Sequence, residues 1–83
     1  MIDFMVTPPK IKNWEDRARL FLKAEIKRAD ITYEELAKRL KEHGIDENAA
    51  SIANKLSRGT FAATFFLATI AALGLQSIDV ESL

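Results

Sequence analysis

Residues 31–59 read ITYEELAKRLKEHGIDENAASIANKLSRG, and this stretch decides the fold. Thr32 and Glu35 have the spacing of a capping box, in which each side chain satisfies a backbone N–H that the first turn of a helix leaves unpaired. Ile31 and Leu36 sit where a hydrophobic staple closes across such a start. Leu36, Ala37 and Leu40 then recur at helical spacing as an inward face, with Lys38, Arg39 and Lys41 outside it or at its edge. Gly44 ends that helix, because glycine accepts the left-handed conformation that closes one. Asp46 or Asn48 caps the next helix, which runs to Arg58 before Gly59. Ala49, Ala53 and Leu56 make its narrow inner stripe, small enough for a close helix crossing. Asn48, Ser51, Ile52, Asn54, Lys55 and Arg58 fall on its other side.

Upstream, Asn13 opens a first helix with Asp16 in its first turn. Trp14, Ala18, Phe21, Leu22 and Ala29 share one face, and Arg19, Lys23 and Lys27 form a ridge opposite. Glu15 precedes Arg19 by four residues, a favourable helical pair. Glu25 projects into the apolar face between Arg17 and Arg28, which predicts a partly buried ion pair. Residues 1–12 read as a separate, loosely packed arm preceding a single domain at 13–83. In the arm Ile2, Phe4 and Val6 alternate as a weak strand pattern that Pro8 and Pro9 interrupt. No basic segment precedes an apolar run there, so a signal peptide is not expected.

Downstream, residues 60–74 read TFAATFFLATIAALG, and no charge occurs between Gly59 and Ile78. Phe66, Ile70 and Leu73 make one apolar face, Phe61, Phe65, Ala68 and Ala72 a second, and Leu67 points to a third side. The apolar run at 61–75 is shorter than the roughly 20 residues a helix needs to cross a bilayer. One face for the core and one for a partner is therefore expected, with Phe61, Phe65 and Leu67 as the partner surface. The tail SIDVESL reads either as a turn capped by Ser77 or as a short strand through Ile78 and Val80. A short helix or turn packed on the core through Ile78 and Leu83 is the preferred reading.

The composition bounds the chemistry. Eighty-three residues make one small domain. Twelve cations balance twelve acids, which argues against a generally basic nucleic-acid coat. All twelve cations lie within residues 10–58, and nine acids lie among them, so this half is weakly basic. There is no Cys and one His, His43, which argues against a disulfide framework and an ordinary zinc site. No Gly-rich phosphate loop or convergent nucleophile and base occurs. Glu34 and Glu35 are explained by the helix start and not by acid–base chemistry. The expectation is a cytoplasmic protein that is not an enzyme, uses no cofactor or metal, and has neither a membrane span nor a small-molecule substrate.

In order along the chain, ITYEELAKRL (31–40), IANKLSRG (52–59) and FFLATIAALGL (65–75) resemble the helix-turn-helix domain of the lambda-repressor/Cro-like family. The resemblance covers residues 26–75. The chain also resembles small bacterial domains that share the run NKLSRGTF followed by FFL, a likeness that implies a fold but no activity. The family resemblance implies an all-α, compact bundle of four to five helices with a helix-turn-helix. It implies a small DNA-binding protein and transcriptional regulator acting as a homodimer on double-stranded DNA. Ala37 would then be the small residue at the helix crossing, and Ala53 and Leu56 would anchor the recognition helix inward. Asn48, Ser51, Asn54 and Lys55 would contact bases. Tyr33, in the place of a phosphate-contacting Gln, would join Lys38, Arg39 and Arg58 at phosphates. The alternative is a protein–protein interaction module of the same fold that binds no DNA and uses the surface around Phe61, Phe65 and Leu67. A membrane-surface helix is a third reading, against which stands the missing basic face.

Overall fold

The computed structural model describes residues 13–83, so the expectations for the arm at 1–12 lie outside it. The described chain is all-helical: α1 (Trp14–Ala29), α2 (Tyr33–Glu42), α3 (Ala49–Arg58), α4 (Ala63–Ala72) and a 3-10 turn, η1 (Val80–Ser82). Among the described residues there is no strand, and no helix is long and apolar enough to cross a membrane.

Local chemistry sets the helix ends. Asn13 Oδ1 accepts from the Asp16 N–H at 2.9 Å to start α1. Thr32 Oγ1 accepts from the Glu35 N–H at 3.0 Å to start α2. The expected box there is only half made. Glu35 turns away from the cap and pairs with Arg39 Nε at 3.1 Å, one turn along α2. The reciprocal box appears instead on α3. Asn48 Oδ1 accepts from the Ser51 N–H at 2.8 Å, and Ser51 Oγ accepts from the Asn48 N–H at 3.0 Å. This identifies Asn48, not Asp46, as the cap. Gly59 closes α3 with φ +82°, and it is buried against α1: a Cβ there would lie 3.0 Å from Arg19 Cδ.

The four helices pack in a ring. α2 lies against α3 and α4, and α1 lies against the same two, so helices consecutive in the chain at α1/α2 and α3/α4 are not packed neighbours. Each helix sends large apolar residues to the centre. These are Leu22 and Ile26, Leu36 and Leu40, Ile52 and Leu56, and Phe65 with Ile70 and Ala72. Burying each of the larger ones stabilises the fold by roughly 1.5–3 kcal/mol. Arg39 also ties α2 to the end of α4 by donating from Nη1 to the Ala72 carbonyl at 3.4 Å.

Two apolar faces differ from the sequence reading. On α1 the buried residues are Leu22 and Ile26, while Trp14 is 59% exposed and Ala29 is exposed. Both lie at the ends of a helix longer than the core it covers. On α3 the buried residues are Ile52 and Leu56, and Ala53 is exposed. Two large aliphatic side chains one turn apart outweigh an alanine in fixing which side turns inward. Arg19 pairs with Asp16 at 3.0 Å and not with Glu15. Glu25, 16% exposed, meets Arg28 at 3.4 Å as expected, whereas Arg17 goes elsewhere. The tail turn is capped by Asp79, not Ser77, and Ile78 and Leu83 are half-buried.

Candidate nucleic-acid interface

The register of α3 decides which side chains face solvent. With Ile52 and Leu56 inward, Ala50, Asn54, Ser57 and Arg58 form the opposite stripe, at i, i+4, i+7 and i+8. All four are exposed, as is Ala53 at the border. No acid lies on this stripe, and its one charge is Arg58.

Three of the four residues expected at bases are engaged within the domain. Asn48 and Ser51 form the α3 cap described above. Ser51 Oγ also donates to Glu47 Oε1 at 2.6 Å. Lys55 Nζ lies 3.2 Å from the same carboxylate and 5.7 Å from the centre of the Phe65 ring. Glu47 is 10% exposed and Lys55 28%. A carboxylate so enclosed needs both partners, and it ties the segment before α3 to Ser51 and Lys55 within that helix. Asn54 alone of the four projects freely on the outer stripe.

The expected phosphate contacts separate in the same way. Lys38 and Arg58 are exposed. Arg39 is spent on Glu35 and the Ala72 carbonyl. Tyr33 is half-buried against the core. Sequence reasoning missed the outer positions of Ala50, Ala53 and Ser57. The signal that finds them is the i, i+4 pair Ile52 and Leu56, which fixes the phase of α3.

The expected partner surface is also divided. Phe65 is 2% exposed and belongs to the core, which corrects its assignment to a partner face. Its neighbour Phe61 is half-buried, with ring centres 5.3 Å apart. Phe66 joins Phe61 to Phe21 of α1 at 6.4 and 6.3 Å, so these rings seal α4 onto α1. Leu67, 63% exposed, is the member of the trio that faces solvent. No group of three or more potential metal-ligating side chains occurs among the described residues.

No curated protein and no solved structure matches the chain. A family model described as a domain of unknown function, DUF6471, matches residues 14–78, from the first residue of α1 to the tail that follows α4, and the chain belongs to that family.

Proposed function

We propose that the domain is a small helix-turn-helix DNA-binding protein, a transcriptional regulator that acts in the cytoplasm as a homodimer on double-stranded DNA. The observation that carries this reading is the outer stripe of α3. It is acid-free, built of small side chains, and backed by a helix pinned through Ile52 and Leu56. Small residues let a helix approach a groove closely. Ala50 and Ala53 suit apolar contact with thymine methyl groups, and Asn54 suits the paired donor and acceptor of adenine. Arg58 and Lys38 suit phosphates, which fix register without reading sequence. Asn48, Ser51 and Lys55 become supports of the reading helix in this proposal.

The test is selection from a randomised duplex pool followed by titration at several salt concentrations. With two copies each placing Lys38 and Arg58 on phosphates, log affinity should fall with log salt at a slope of about −3 to −4. Arg58→Ala should reduce that slope by about 2 for the pair. No enrichment from the pool and no binding at low salt refute the proposal. A second reading, a protein-interaction module, is favoured by Trp14, Leu20 and Leu67, large apolar side chains exposed on α1 and α4. A chain that is dimeric yet inert toward DNA would support it.

A further inference from the structure

Leu67 is the most exposed large apolar side chain among the described residues, 63% open to solvent at the middle of α4. Ala63 and Ala71 stand one turn before it and one turn after it on the same outward side, and both are exposed. Thr60 and Gly74 lie seven residues to either side, just outside the helix, and are exposed too. A Cβ at Gly74 would meet nothing within 4 Å, so that end is open. Outward from Leu67 the face is symmetric in size, with an alanine at four residues and a small residue at seven in both directions.

The same face is set apart by charge. Residues 60–78 hold no Asp, Glu, Lys, Arg or His. By contrast α1 exposes Lys23 and Arg28, α2 exposes Lys38 and Glu42, and α3 exposes Arg58. A surface carrying such groups would strand them unpaired against α4, because nothing on that face can pair a charge. The surface that matches it is one without charge over the same length, and among the described helices only α4 offers one. The start of α4 is also unfinished: Ala62 gives no side-chain cap and the first turn has no acid. Two copies of α4 laid parallel would bring two uncapped, partly positive starts together. Laid antiparallel, each start lies beside the other's carbonyl end.

We propose that this face docks a second copy of the chain, with α4 packed antiparallel on α4 about a twofold axis through Leu67. An isologous pair requires one self-complementary patch, and the symmetric spacing supplies it. Leu67 of one copy meets Leu67 of the other, Ala63 meets Ala71, and the end at Thr60 meets the end at Gly74. Alanines on either side of the leucine let the two axes approach to about 8 Å. The face is smaller than the roughly 800 Å² that each partner gives to a standard interface, so the pair is weak and concentration-dependent. The inference rests on the homodimer of the proposed function and gives it an interface, and it uses no contact with DNA.

Sedimentation of the full chain between about 1 μM and about 1 mM should show monomer passing to dimer. Leu67→Glu places two unpaired carboxylates at the axis and should raise the dissociation constant at least about a hundredfold, while the dilute protein keeps its helical circular dichroism. A full chain that stays monomeric at about 1 mM, or a Leu67→Glu variant that dimerises as the full chain does, overturns the proposal. The chain has no cysteine, so introduced ones report the geometry, and they decide the matter if Leu67→Glu fails to fold. Ala63→Cys mixed with Ala71→Cys should give the mixed disulfide under mild oxidation. Either variant alone should not, because like positions lie about 12 Å apart along antiparallel helices, beyond the roughly 7 Å a disulfide spans. Like pairs that cross-link as readily as the mixed pair overturn the antiparallel arrangement. A dimer of this geometry that ignores duplex DNA leaves the interface standing and removes the DNA reading. A monomer that binds DNA does the reverse.

Discussion

Thr69→Val should stabilise this protein. Thr69 lies on the inward side of α4, one turn from both Phe65 and Ala72, and has 0% exposure. Its hydroxyl is buried with no hydrogen-bond partner among the described residues. In the unfolded chain water satisfies that hydroxyl; in the fold none of the described residues does. The resulting penalty is about 1–3 kcal/mol. Valine keeps the branched shape and replaces the hydroxyl by a methyl. Its helix propensity is close to that of threonine, so the backbone contribution nearly cancels. The net expectation is about 1–2 kcal/mol of added stability. In a domain of this size that raises the melting midpoint by about 4–8 °C per kcal/mol. Urea unfolding followed by far-UV circular dichroism measures it, and an unchanged slope would place the gain in stability and not in the unfolded state. Thr69→Ser supplies the counterpart: it keeps the hydroxyl, removes a buried methyl, and should lower stability by about 1 kcal/mol. If Thr69→Val lowers the midpoint, the hydroxyl has a partner, such as the Phe65 carbonyl one turn earlier, and the reasoning fails.

Four further outcomes follow from contacts elsewhere in the domain. Glu47→Gln removes the charge that Ser51 and Lys55 share, and should cost about 1.5–3 kcal/mol in denaturant unfolding. Gly59→Ala and Gly44→Ala both force alanine into the left-handed region, at about 1–2 kcal/mol each. A Cβ at Gly59 meets Arg19 at 3.0 Å whereas one at Gly44 meets nothing within 4 Å, so the melting midpoint of Gly59→Ala should be the lower of the two. Asn48→Ala loses the α3 cap and about 0.5–2 kcal/mol. Asn54→Ala should leave stability within about 0.5 kcal/mol, measured in the same thermal scan, while weakening capture of a selected duplex.

The parts of the fold that were legible in the sequence are those fixed by short-range chemistry. Thr32, Gly44 and Gly59 mark helix boundaries because their side chains, or lack of one, act within a turn. The inward face of α2 was also legible, since Leu36 and Leu40 are its only large aliphatic residues and stand one turn apart. The phase of α3 is not legible in the same way. A helix with three alanines offers several nearly equivalent apolar stripes, and only the burial of Ile52 in the ring decides among them. That one rotation also moved the candidate site. Residues chosen as polar and outward, Ser51 and Lys55, point instead to Glu47, a side chain eight residues before Lys55 whose role depends on three-dimensional closure. The α1 face failed at its ends for a different reason: Trp14 has the right spacing, but the core stops before reaching it.

The start of α4 has a consequence for how the chain reaches this structure. The first three helices carry side-chain caps, whereas Ala62 offers none, and the first and last turns of α4 contain neither acid nor base. Nothing local marks where this helix begins, so its formation waits on docking against α1 and α2. Until then an uncharged stretch with three phenylalanines stands open to water and to other chains. Such segments associate when exposed. Refolding yield therefore depends on chain concentration, and the three capped helices act as a template that must assemble before α4 finds a neighbouring molecule.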